Sequence, residues 1–178
     1  MLDLLAAVSA HLAARGVAHA LVGAGALAVH GVSRSTFDVD LLAVDAAVLD
    51  PAFWSPLAAR GARVDVRAGE GDDPLRGVVR LSQAGERPVD LIVGRAAWQA
   101  EALARAAVTP VGPAAIAVVT RADLVLLKLF AGGPQDAWDL QQLLAAGGRS
   151  DLLAEVEARL DLLPPEAEAL WRKVRGAR

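Results

Sequence analysis

A chain of 178 residues, 54% of them apolar and 22% charged, can bury a full core, so disorder is excluded for most of it and one domain, or a core with a small appendage, is expected. Eighteen Lys and Arg against 21 Asp and Glu leave a net charge of −3, which offers no bulk positive field to nucleic acid, so an anionic substrate must be held locally. The absence of cysteine excludes a disulfide framework, a thiol nucleophile and a thiolate zinc site, and a cytoplasmic location is the default expectation.

Asp3 stands where a signal peptide would carry positive charge, and no apolar run approaches the roughly 18 residues that span a bilayer, so no membrane partner is expected. Leu4, Leu5, Val8 and Leu12 predict a helix over 2–15, stopped at Arg15-Gly16. Residues 18–22 read as a short buried strand, and Gly23-Ala24-Gly25-Ala26 as a tight turn opening a helix that Gly31 closes, a parallel-type start. Residues 36–44 alternate, with Phe37, Val39 and Leu41 on one face and Asp38, Asp40 and Leu42 on the other. Asp50-Pro51 opens a helix that Arg60-Gly61 ends, and a strand over 62–67 leads into an acidic loop over 69–74. Segments 77–82 and 88–93 frame residues 83–87 as a hairpin.

A helix over 95–106 follows, and the punctuation at 109–113 separates it from a short strand near 115–119. The rest reads as helical: Thr120 caps a helix reaching Phe130, Gly132-Gly133-Pro134 breaks it, helices cover 135–145 and 151–160, and Pro164-Pro165 starts the last. A boundary near 118 divides a mixed-sheet core, 1–118, from a helical segment, 119–178, packed on it.

The chemistry gathers on the acids. Asp38 and Asp40, two apart on a strand, project from one face with Cα atoms about 6.6 Å apart, so their carboxylates can converge on one hard cation; solvated acids at a strand end are the plain alternative. Asp90, within Val89-Asp90-Leu91-Ile92-Val93, again opposes the residues that must pack. Burying three such acids without compensation costs several kcal/mol each, so they face solvent or hold metal. Upstream, Gly23, Ala24 and Gly25 let a phosphate approach the backbone, and Arg34 offers it a planar fork, although tight helix–strand packing also explains the small residues. His11 and His19 have no ligand-spaced partner and His30 lies near the phosphate turn; all three are expected to be packing or surface residues, and Ser35 lacks a His and an acid in triad order. The dispersed Trp54, Trp98, Trp138 and Trp171 are expected in the core or an interface.

In this order, Leu21-Val22-Gly23-Ala24, a helix, Arg34-Ser35-Thr36, Asp38-Val39-Asp40 and a later strand bearing Asp90 resemble the nucleotidyltransferase superfamily that includes DNA polymerase beta. Within it, Leu127-Lys128-Leu129-Phe130 followed by Gly132-Gly133-Pro134-Gln135-Asp136-Ala137-Trp138-Asp139 looks like the Lys helix and Asp-x-x-Asp turn of the small bacterial branch related to abortive-infection nucleotidyltransferase toxins. The resemblance covers residues 18–145 and implies an α/β (α+β) fold, a mixed sheet flanked by helices with a C-terminal helical segment.

It also implies transfer of a nucleoside monophosphate from ATP or another nucleoside triphosphate to a hydroxyl, with pyrophosphate leaving. Asp38, Asp40 and Asp90 would be the catalytic and metal-binding set for Mg²⁺, or Mn²⁺ in its place, with Asp90 also accepting the hydroxyl proton. Gly23, Ala24, Arg34, Thr36 and Lys128 would bind the nucleotide; Lys128 reaches the phosphates or else pairs with Asp136 or Asp139. The acceptor stays open between a tRNA end, a protein hydroxyl and a small molecule such as an aminoglycoside, and a cognate antitoxin is an expected partner. Ala24 departs from the Gly or Ser usual in the family, which keeps alive a non-catalytic module that only holds nucleotide or a partner.

Overall fold

The computed structural model describes residues 4–112 and 114–176. Leu2, Asp3 and Pro113, which the expected first helix and the 109–113 punctuation included, lie outside the described residues. The chain forms two compact units, one joining Gly25 and the residues before it to Ser35–Val119, the other joining Ala26–Arg34 to the chain from Thr120 onward.

The first unit holds the strands β1 (His19–Leu21), β2 (Val39–Ala43), β3 (Arg63–Ala68), β4 (Leu75–Ser82), β5 (Val89–Gly94), β6 (Ala107–Val111) and β7 (Ala114–Val118). They make one sheet in the order β3-β4-β5-β2-β1-β7-β6. The β1–β7 and β2–β5 pairs are parallel and the other neighbours antiparallel. This is the mixed-sheet α/β architecture expected from the sequence. Helix α1 (Leu4–Ala13) packs against β1, β5 and β7, and after α2 (Gly23–Val29) and α3 (Ser55–Ala58) comes α4 (Ala97–Arg105), which packs against β2. Alternation assigns the faces: Val79 and Leu81 of β4, Val89, Leu91 and Val93 of β5 and Leu41 of β2 are buried. Arg80 and Asp90, one step out of phase, therefore fall on the opposite face.

Four expectations change. The β1–α2–β2 start is antiparallel, His19 pairing with Ala43 and Leu21 with Leu41. Seven helical residues, about 10 Å of rise, and the irregular stretch 30–38 return the chain to the end of β1 it left, as the hydrogen bond from Val22 N to Asp40 O (2.9 Å) shows. Strand β2 begins only at Val39, and Phe37 is 92% exposed instead of lying on the apolar face. The Asp50-Pro51 start caps a single-turn 3₁₀ helix, Asp50 Oδ1 accepting from Ala52 N at 2.9 Å, before the short α3. Residues 107–111 form β6, hairpin-paired with β7 where punctuation was expected; as the rim strand of the sheet it tolerates Pro110, which cannot donate to a ladder. Trp54, Trp98 and Trp171 are buried, whereas Trp138 is exposed.

The second unit is helical: α5 (Arg121–Ala131), α6 (Pro134–Ala145), α7 (Arg149–Glu157) and α8 (Pro165–Gly176), with α5 packed on the other three. Thr120 caps α5, its Oγ1 accepting from Asp123 N, and Gly132 ends it in the left-handed conformation (φ 64°) that glycine adopts without a Cβ penalty. Asp123, fully buried, pairs with Arg159 at 2.9 Å. No described helix is long and apolar enough to cross a membrane.

One buried polar residue of the first unit makes stability sensitive to acid. His11 donates from Nε2 to Phe53 O (2.9 Å), stacks on Trp54 and accepts at Nδ1 from Arg15 Nη1 (3.0 Å). Burial, against the pull of the Phe53 carbonyl and with help from Arg15 and Arg60, holds its pKa below the ordinary value of 6.5. The unfolded chain then binds the proton more readily, so this contribution is complete above pH 6.5 and is lost as the pH falls below it. Thermal melts from pH 7.5 to pH 5.5 are expected to show a steeper loss in the wild type than in a His11→Gln variant; parallel profiles would remove His11 as the cause.

Candidate active site

The register of four strands builds a row of charge across one face of the sheet. Asp65 of β3 pairs with Arg80 of β4, Arg80 with Asp90 of β5, and Asp90 with Asp40 of β2. Partners in register project from the same face, so these four side chains lie side by side. Arg80 Nη1 is 3.0 Å from Asp90 Oδ2 and Nη2 is 3.9 Å from Asp38 Oδ2, so one guanidinium spans two of the expected acids. Asp65 has its own partner in Arg67, at 3.1 Å.

Asp38 sits just before β2, and its placement depends on Thr36, whose hydroxyl donates to Asp38 Oδ1 at 2.8 Å. Asp40 is fixed from the other side by glycine. Gly23 has φ 57°, and a Cβ built on it would lie 1.9 Å from Asp40 Oδ2 and 2.7 Å from Cγ. The bend after β1 thus presses directly on a carboxylate. Ala24, next in line, is buried, so its methyl group packs inward. A Gly23→Ala variant meets both a left-handed backbone, costing about 1–2 kcal/mol, and an overpacked contact, costing about 1–3 kcal/mol. A loss of about 2–4 kcal/mol in urea unfolding is expected, and a cost below about 0.5 kcal/mol would show that the contact relaxes freely.

Asp90 sits between Arg80 and Asp40 in the row. Burial raises its pKa above the ordinary 3.8; Arg80 lowers it, Asp38 raises it and Arg67 lowers it again. Its Oδ1 is buried and has no hydrogen-bond partner. A buried carboxylate oxygen left without a donor is the kind of atom a cation or a proton satisfies. Among the described residues no three His, Asp or Glu side chains are gathered closely enough to hold a metal ion as they stand, Arg80 lying between Asp38 and Asp90. The donor chemistry nevertheless fits a hard divalent cation: carboxylate oxygens on neighbouring strands, one of them unsatisfied.

The remaining expected residues lie in the second unit and form their own network. Lys128 Nζ is 2.8 Å from Asp136 Oδ1 and 2.6 Å from Asp139 Oδ2, and Arg34 Nε is 3.2 Å from Asp139 Oδ1. Asp139 is completely buried and its two oxygens face one cation each. Asp136 Oδ2 also accepts from Gly133 N at 3.0 Å, tying the network to the turn that opens α6. Two cations against two carboxylates leave the cluster formally neutral.

Arg80 is the residue that reading the sequence overlooked. The hairpin frame contained the signal: with residues 82 and 88 flanking the turn, position 80 must face position 90.

No family model and no curated protein sequence matches the chain. Solved structures do. The antibiotic-resistance factor ANT(2'')-Ia is similar over 98% of this chain and 96% of its own, at 14% identity and a TM-score of 0.60. A nucleotidyltransferase-like protein from Paracoccidioides brasiliensis is similar over 94% and 90%, at 15% identity and a TM-score of 0.52. The lincosamide antibiotic adenylyltransferase LnuA, bound to lincomycin, is similar over 80% and 96%, at 13% identity and a TM-score of 0.51. The chain has the nucleotidyltransferase fold.

Proposed function

We propose that the chain is a nucleotidyltransferase that moves a nucleoside monophosphate from a nucleoside triphosphate, ATP in the first instance, to a hydroxyl on a small molecule. The observation that carries the reading is the in-register pairing of Asp40 with Asp90, beside Asp38 and the Gly23 bend, on a nucleotidyltransferase fold. Asp38, Asp40 and Asp90 would hold Mg²⁺ or Mn²⁺. The cation, when bound, supplies charge neutralisation on the phosphates and a template for in-line displacement. Thr36 orients Asp38 through its hydrogen bond, and Gly23, with no side chain, leaves the Asp40 carboxylate room beside the backbone. The acceptor oxygen forms its bond to the α-phosphorus as the bond to the bridging oxygen breaks and pyrophosphate leaves. Asp90, whose burial raises its affinity for protons, accepts the hydroxyl proton.

The small-molecule acceptor follows from two sources. Structures of similar fold include ANT(2'')-Ia with adenylyl-2''-tobramycin, at 15% identity and a TM-score of 0.57, and LnuA with lincomycin. The net charge of −3 supplies no broad groove for RNA. Arg34 and Lys128 would attract a phosphate only with the charge that Asp136 and Asp139 leave them, more weakly than bare cations would. Ala24, in place of Gly or Ser, favours a second reading in which the fold holds nucleotide without transferring it.

Labelled ATP, GTP, CTP and UTP with Mg²⁺ and a panel of aminoglycosides, lincosamides, total tRNA and cell lysate separates these readings. Label on a small-molecule hydroxyl supports the proposal. Label on tRNA or protein would redirect it to the toxin-like branch, and nucleotide binding with no transfer would leave the non-catalytic module.

A further inference from the structure

We propose that Arg80 is a built-in counter-cation of the acidic row, one that a divalent metal ion must displace to enter. This rests on the metal-binding reading of Asp38, Asp40 and Asp90 and adds to it a residue that competes with the metal.

Arg80 projects from the middle of β4 into a row with acids on both sides in register, Asp65 and Asp90. Asp65 is neutralised by Arg67, which leaves the Arg80 guanidinium to Asp90 at 3.0 Å and Asp38 at 3.9 Å. Those are the oxygens a divalent cation would need. Among the described residues no acidic group is assembled for metal, while Asp90 Oδ1 stays buried and unpartnered: Arg80 satisfies one oxygen of that carboxylate and leaves the other.

The guanidinium can also leave. Its side chain is 47% exposed, against 16% for Asp90, so it loses little on swinging into water while the carboxylate remains behind. A single delocalised charge half in solvent is a weak competitor for two acids. Arg80 therefore keeps Asp38 and Asp90 from repelling each other before metal arrives and yields to a cation of twice the charge. A purely structural ion pair would instead leave metal affinity unchanged when the arginine is removed.

Mn²⁺ titration without nucleotide, followed by the paramagnetic resonance of the free ion, tests this on the full chain as wild type, Arg80→Gln, Arg80→Lys and Asp40→Asn. Thermal melts with and without Mn²⁺ report folding of each variant. The expected result is about five-fold tighter Mn²⁺ binding and a larger Mn²⁺-induced rise in melting temperature for Arg80→Gln. Arg80→Lys should stay near the wild type, and Asp40→Asn should bind weakly. Equal affinity in wild type and Arg80→Gln, within about two-fold, would overturn the competition while leaving the metal site intact. Weaker binding by Arg80→Gln would also overturn it, showing that the arginine holds the acids ready for metal. Absence of Mn²⁺ binding in every form, or undiminished binding by Asp40→Asn, would overturn the metal-binding reading itself and this inference with it.

Discussion

Replacing Lys128 with methionine is expected to destabilise the protein by about 3–5 kcal/mol, the cost of breaking a buried ion pair from one side. Methionine preserves most of the apolar stem that packs within α5, so the loss measures the charge and not the volume. Lys128 is 6% exposed and Asp139 is 0% exposed, so water cannot replace the lost ammonium. Among the described residues Arg34 alone, through a contact at 3.2 Å, would remain to neutralise the Asp139 carboxylate. Adding Asp139→Leu to Lys128→Met should recover much of the loss, because the groups then left unpaired, Arg34 and Asp136, retain contact with solvent at 28% and 19% side-chain exposure. Urea unfolding of the two single variants and the double variant closes the cycle. A Lys128→Met cost below about 1 kcal/mol would mean that the cluster does not behave as a buried network.

Asp40→Asn should have the opposite profile, a large loss of transfer with little loss of stability. The change keeps the shape that fits against Gly23 and removes the charge that a cation requires. A metal ligand contributes several kcal/mol to the transition state, so kcat/KM is expected to fall on the order of 10³-fold or more. Melting temperature should change little, because asparagine keeps the shape that fits against Gly23. Transfer assays on an acceptor found in the panel, run beside thermal melts, give both readouts. Undiminished transfer by Asp40→Asn would end the assignment of these acids to catalysis; a large fall in melting temperature would mean that Asp40 is needed by the fold first.

Alternation and punctuation made much of this architecture readable from the chain. Val79, Leu81, Val89, Leu91 and Val93 mark the buried face of β4 and β5, and the same rhythm puts Asp90 out of phase with them. Thr120, Gly132 and Pro165 mark helix boundaries because caps, left-handed stops and first-turn prolines are local. Direction is not local. A period of two is the same in parallel and antiparallel strands, so the return of β2 against β1 left no trace in the pattern. Phe37 was misplaced because alternation was extended beyond Val39, where pairing begins. Strand β6 was hidden by Pro110 and Gly112, residues that mark a turn in most settings and here lie in a rim strand and its hairpin. Arg80 escaped for a different reason: a lone arginine on an exposed strand face looks solvated until the hairpin register sets it opposite Asp90.

The two outer strands of the sheet also bear on how copies of the chain meet one another. Along β3, Arg63, Asp65 and Arg67 alternate with Val64 and Val66, and β6 carries Pro110, which has no amide hydrogen to offer a newcomer. A strand from a second molecule would meet charge at one border and a missing donor at the other, so ribbon-like stacking of sheets is discouraged at both ends. Crowding alone should not turn this protein into fibrils.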